Sequence, residues 1–125
     1  MLLNVHPLLG PDLLHALASM GHGDRIAIVD ANYPAAAKAK RLIRADGLGL
    51  IEVLEAIMTV LPIEAALMPD ARRPIHESLK SLVPSVEALS SDRFYEAANG
   101  SYAMVATSAP ELYGNIVLVK GAVGY

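Results

Sequence analysis

The stretch Arg25-Ile26-Ala27-Ile28-Val29-Asp30 decides the architecture. Its apolar residues are consecutive rather than alternating, and too few for a helix, so they read as a short central strand buried on both faces. Upstream, Pro11 at an N1-like position, Asp12 in the first turn and Leu13, Leu14, Leu17 and Met20 on one face predict a helix. Gly21 stops it, and His15 and Ser19 fall on its wet side. Downstream, residues 31–40 support two readings, helix from the alanines or loop from Asn32 and Pro34, and residues 41–44 follow as a strand. Asp46-Gly47 introduces a helix to about residue 58, with Leu50, Val53, Leu54 and Ile57 on one stripe. Beyond it come a strand at 63–68, a proline-started helix at 74–82, a strand at 86–90, a helix at 92–98 and a strand at 102–107. A turn at 110–114 leads to a last strand at 115–120, and the short turn predicts that these two strands pair antiparallel. The expectation is an α/β fold: a single layered domain over residues 1–125, with a mixed β-sheet flanked by helices.

Composition narrows the partners. At 125 residues the chain can bury a substantial core, and with no cysteine it relies on that core rather than on disulfides. Charged residues make up 18% and the net charge is −3, which gives neither the basic face that nucleic acid requires nor the acidic excess of a disordered tail. The hydrophobic share of 54% exceeds the roughly 45–50% of ordinary soluble domains, which points to subunit interfaces. The first residues show no cationic n-region, and the longest apolar reach, 56–68, is broken by Pro62 and Glu64 and falls short of the roughly 20 residues of a membrane span. A cytoplasmic location, with no membrane partner, is expected.

Three places could carry chemistry. In Gly21-His22-Gly23-Asp24 the glycines let the backbone turn sharply around an imidazole that can give or accept a proton near neutrality. A helix stop, a relieved turn and an incidental surface histidine account for the same residues. Asp30 stands at the carboxyl end of the central strand, where ligands of open α/β sheets bind; an Asx-turn carboxylate bonding backbone near Asn32 is the alternative. In Tyr113-Gly114-Asn115 an extended chain projects the phenol and the amide to the same side, as partners for sugar hydroxyls; a β-turn with a packed aromatic is the other reading. His6, His15 and His76 lack metal-ligand spacing, and no phosphate-loop or dinucleotide glycine pattern occurs.

These motifs, with Leu8-Leu9, Asp30 followed by Pro34, Ile43-Arg44-Ala45-Asp46-Gly47-Leu48, Phe94-Tyr95-Glu96 and the run from Tyr113 through Lys120-Gly121, occur in one order. In that order and spacing the sequence resembles the D-ribose pyranase and L-fucose mutarotase family over nearly its whole length, and leans to the fucose branch. The resemblance implies a ribose-pyranase-like fold and cofactor-free interconversion of monosaccharide anomers or ring forms. It implies His22 as proton donor, Asp30 as a sugar-binding carboxylate, and Tyr113 with Asn115 as sugar contacts. It also implies a closed homo-oligomeric ring, commonly a decamer, with sites at subunit interfaces. Two departures stand out. The segment 68–86 looks shorter than in the fucose branch, and Ser91 stands where that branch has an arginine. Arg93 is the nearest substitute, although two residues along a helix turn it by about 200°.

The implied reaction opens a hemiacetal: a proton reaches the ring oxygen, another leaves the anomeric hydroxyl, and the aldehyde rotates and recloses. It needs no redox cofactor or metal. The rival expectation is a non-catalytic monosaccharide-binding or transport-accessory protein that keeps the cleft, a reading that Ser91 favours. Either way, the imidazole, the acid and the phenol-amide pair are expected to line one pocket, within a chain or across two.

Overall fold

The computed structural model describes residues 1–124. Eleven elements alternate along the chain: α1 (Pro11–Ser19), β1 (Arg25–Val29), α2 (Ala35–Lys38), β2 (Leu42–Ala45), α3 (Leu50–Met58), β3 (Ile63–Pro69), α4 (Pro74–Leu82), β4 (Val86–Leu89), α5 (Ser91–Asn99), β5 (Ala103–Thr107) and β6 (Ile116–Lys120). The strands form one six-stranded sheet in the order β2-β5-β1-β6-β3-β4. Pairing is parallel for β2 with β5, β5 with β1 and β3 with β4, whereas β6 runs antiparallel to both β1 and β3. The sheet is therefore five strands in one direction with a single reversed strand inside it.

The central strand behaves as its sequence predicts. Ile26, Ala27, Ile28 and Val29 are all fully buried, because both faces of the sheet are covered. Ile26 and Ile28 join the larger core with Leu13 and Leu17 of α1, Leu54 and Ile57 of α3 and Leu79 of α4. Ala27 and Val29 face a smaller core built from Tyr33, Ala35, Phe94 and Ala98. Residues 31–40 resolve into a loop followed by the four-residue α2. Helix α3 starts later than expected, at Leu50, because Gly47 (φ 84°) makes a left-handed turn after β2 and the side chain of Glu52 accepts the Gly49 N–H at the helix start.

One pairing differs from expectation. Strands β5 and β6 do not form a hairpin: β1 lies between them and pairs with both. The eight residues between them are ample to cross one strand, a step of roughly 10 Å at the usual interstrand spacing. Burial favours the crossing, since it places the apolar strand β1 in the interior of the sheet. The sheet is mixed through β6 against β1 and β3. None of the helices among the described residues is long and apolar enough to cross a membrane.

Candidate functional site

The common strand direction gathers the carboxyl ends of five strands at one end of the sheet, together with the start of β6. Backbone bonding fixes Asp30 there. Thr107 Oγ1 donates to the Val29 carbonyl at 2.7 Å, the Ala109 N–H donates to Thr107 Oγ1 at 3.2 Å, and the Ala31 N–H donates to the Ala109 carbonyl at 2.9 Å. The Asp30 N–H in turn donates to Asn115 Oδ1 at 2.7 Å, which ties the end of β1 to the start of β6. One carboxylate oxygen of Asp30 accepts the Asn32 N–H at 2.9 Å, so the Asx-turn anticipated from sequence does form.

That turn leaves the residue chemically available. Asp30 and Asn115 are 5% and 3% exposed, yet among the described residues no buried side-chain nitrogen or oxygen lacks a partner. Asp30 Oδ2 and Asn115 Nδ2, which make no hydrogen bond within the described residues, are accordingly reachable by solvent. Each side chain thus holds the fold with one atom and leaves another unbonded within the described residues. A carboxylate acceptor beside an amide donor suits a vicinal pair of hydroxyls.

Tyr113 belongs to the same end but not to an extended strand. It has φ 59°, and the Asn115 N–H donates back to its carbonyl at 2.8 Å, so the segment is a tight turn before β6. The alternation that would send Tyr113 and Asn115 to the same side does not apply; a shared turn holds them together. The phenol is 42% exposed, and the Arg73 guanidinium carbon stands 5.7 Å from its ring centroid. The Tyr113 carbonyl also meets His76 Nε2 at 2.8 Å.

His22 lies at the opposite end. Its turn is closed by the Asp24 carboxylate, which accepts the Gly21 N–H at 2.7 Å, and by Gly23 (φ 86°), whose N–H donates to the Lys120 carbonyl at 2.9 Å at the far end of β6. The five residues of β1 between the two ends span roughly 16 Å at 3.3 Å each. Within one chain, therefore, Asp30, Asn115 and Tyr113 come together and His22 does not join them. The imidazole is not idle: Nε2 lies 2.9 Å from Glu64 Oε2, and since a carboxylate can only accept, Nε2 carries the proton. Glu64 sits where the β3–β6 register slips between Ile63 and Ala65, and such a bulge re-aims a side chain that regular alternation would point elsewhere. Sequence reasoning missed this partner, because Glu64 registers there only as a charge interrupting an apolar run.

Arg93 also stands apart. It lines a cleft of about 340 Å³ on the flank of α5 with Arg25, Glu87 and Glu96, and this cleft shares no lining residue with the Asp30 cluster. Ser91 opens α5 and is exposed. Closer to Asp30, Tyr33 donates its hydroxyl to Asn99 Oδ1 at 2.6 Å and packs 5.7 Å from the Tyr95 ring. Burial, the Tyr95 phenol and the Asp30 charge push the Tyr33 pKa up to about 12, so this phenol keeps its proton throughout the neutral range.

Comparison with known proteins gives a consistent set of relatives. A family model described as the RbsD / FucU transport protein family matches residues 3–123. Fucose mutarotase from Homo sapiens is 40% identical over 140 aligned positions, covering 94% of this chain and 91% of that protein. L-fucose mutarotase from Haemophilus influenzae is 35% identical and covers 97% and 96%. The alignment to the human protein has more positions than this chain has residues, so this chain is the shorter within it. Among solved structures, fucose mutarotase from Streptococcus pneumoniae in complex with L-fucose superposes with a TM-score of 0.92 at 34% identity, covering 98% of this chain and all of that one. RbsD of Bacillus subtilis complexed with D-ribose, at 22% identity and a TM-score of 0.85, shares the fold.

Proposed function

Because this chain belongs to the RbsD / FucU transport protein family, we propose that it is an isomerase, a fucose mutarotase that interconverts the anomers of L-fucose or a closely related monosaccharide. One observation carries the site assignment: Asp30 and Asn115 brace each other through the backbone and keep a carboxylate oxygen and an amide donor free at the carboxyl end of the central strand. Tyr113, half-exposed on the adjoining turn, supplies an aromatic flank for the sugar ring.

Anomer exchange asks for a proton at the ring oxygen and removal of one from the anomeric hydroxyl. In this reading His22 is the group that transfers the proton, with Glu64 holding its ring, while Asp30 and Asn115 grip hydroxyls. Since His22 lies a strand's length from Asp30, the cleft is composite: His22 of one protomer completes the Asp30–Asn115–Tyr113 surface of another. A closed ring of subunits, such as a decamer, satisfies that geometry, and the apolar excess of the sequence supports it. Soluble action in the cytoplasm completes the proposal.

The test is magnetisation transfer between the anomeric proton signals of L-fucose, with ribose and galactose alongside. Faster exchange with the protein supports the mutarotase. Binding without faster exchange returns the non-catalytic sugar-binding reading, for which exposed Ser91 in place of a basic residue is the favouring observation. The composite cleft has its own test: His22→Ala and Asn115→Ala proteins, each inactive, are unfolded together and refolded as a mixture. Recovered activity supports sharing between protomers, and a mixture as inactive as its parts rejects it.

A further inference from the structure

His76 is the one buried histidine among the described residues, 1% exposed, and the chemistry above leaves it without a role. It lies in the first turn of α4, where its Nδ1 accepts the Arg73 N–H at 3.0 Å. Its Nε2 meets the Tyr113 carbonyl, 37 positions along the chain, at 2.8 Å. A backbone amide can only donate and a carbonyl can only accept, so the two contacts fix one tautomer: Nε2 bears the hydrogen and Nδ1 is bare. An imidazole held in this way is a rigid two-ended strut between the start of α4 and the turn before β6.

What it holds is a strained point. Tyr113 is a non-glycine residue at φ 59°, a conformation that side chains resist unless their surroundings enforce it. Its carbonyl accepts from both His76 Nε2 and the Asn115 N–H, which occupies both lone pairs. The same Asn115 then grips the Asp30 N–H. Arg73, whose own N–H is tied to His76, holds its guanidinium carbon 5.7 Å from the Tyr113 ring centroid. The histidine thus sets the backbone of Tyr113.

We propose that His76 is a positioning residue for the sugar-binding turn Tyr113-Gly114-Asn115, and that it governs substrate affinity without touching substrate. The inference rests on the reading of that turn as a sugar contact. Two near-isosteric replacements separate the two ends of the strut. In His76→Gln the amide nitrogen falls near the position of Nε2 and can still donate to Tyr113, while the Arg73 bond is given up. In His76→Asn the amide oxygen falls near Nδ1 and can still accept from Arg73, but the side chain is too short to reach Tyr113.

Both variants lose one hydrogen bond and are expected to melt at similar temperatures. For L-fucose exchange, His76→Asn should raise KM about 5- to 10-fold with kcat within about twofold, whereas His76→Gln should keep KM within about twofold of the wild type. Equal KM in the two variants, or a KM that simply follows thermal stability, overturns the proposal. The Asn115 amide gives a readout that needs no turnover: its hydrogen exchange should be at least about 10-fold faster in His76→Asn than in His76→Gln. Equal exchange there rejects the strut. A wild type that does not accelerate fucose exchange overturns the mutarotase reading instead, and leaves the amide comparison to decide the strut. Should His76→Asn fail to fold, the wild type decides: the His76 Nε2–H proton resonance should be protected from solvent and should shift when L-fucose saturates the protein, and an unprotected or unmoved signal counts against the role.

Discussion

At the Asp30 end of the sheet the polar side chains are buried and bonded to backbone: Asp30 to Asn32, Asn115 to Asp30, Thr107 to Val29. At the His22 end the imidazole side chain is 61% exposed, and its bond runs to a glutamate side chain that is itself 46% exposed. Backbone partners cannot swing away, so the first end is organised before any ligand arrives. The second end is a hydrogen bond between two exposed side chains, and exposed side-chain pairs, even when charged, contribute only about 0–1 kcal/mol. The contrast fits the different tasks proposed for the two ends. Binding demands fixed hydroxyl partners, whereas proton transfer demands a group whose surroundings change once a cleft closes around it.

The largest expected effect lies at the exposed end. His22→Ala should cost about 10²–10⁴-fold in exchange rate if it removes the general acid, while the melting temperature stays close to the wild type because little is packed against the ring. Magnetisation transfer and a thermal melt on the same sample check this, and full retained activity erases the functional difference between the ends. The reverse pattern is expected at the buried end. Asn115→Ala strands the Asp30 N–H without its acceptor and should destabilise the fold by about 1–3 kcal/mol, read from chemical denaturation, along with loss of sugar binding. Asn115→Asp sharpens the point: its oxygen can still accept from Asp30, but the donor is lost and a second carboxylate is placed beside the first, so affinity should fall even where the bracing bond survives.

How far the sequence alone reaches also differs between the ends. Asp30 and the buried run before it were legible, because a short consecutive apolar run and the carboxyl-end rule depend on local pattern and on the usual architecture of parallel sheets. Helix α4 was legible to the residue from its starting proline. The Glu64 partner of His22 was not, since a bulge in β3 aims it and nothing in the residues 62–65 announces a register slip. Nor was the order β5-β1-β6, because the identity of a strand's neighbours is settled by which strand most needs burial rather than by the length of the turn before it. The separation of His22 from Asp30 was left open by the sequence, which allowed a pocket within one chain or across two; the length of β1 sets the two apart within one chain.

Smaller effects refine the picture. Glu64→Ala leaves the His22 ring free to rotate and should lower the exchange rate by a few-fold, with a stability change below about 1 kcal/mol. Glu64→Gln, which retains an oxygen to accept from Nε2, should recover most of that rate. If the alanine variant is as fast as the wild type, the side-chain bond at the exposed end positions nothing.

The smallest effect is visible only in alkali and reads the buried end through Tyr33. In the folded protein this phenol holds its proton up to about 12, against 10.0 when unperturbed, because burial, Tyr95 and the Asp30 charge all disfavour the phenolate. Between those values the unfolded chain has already released a proton that the folded chain retains, so stability falls as pH rises through that window and is unaffected below it. Tyr33→Phe removes the ionisation. It also removes the 2.6 Å bond to Asn99, at a cost of about 1 kcal/mol, but the folded phenol keeps that bond at both pH 9 and pH 11, so its loss does not differ between them. Denaturation midpoints at pH 9 and pH 11 should therefore drop further for the wild type than for Tyr33→Phe. Equal drops in the two proteins place Tyr33 in ordinary contact with solvent.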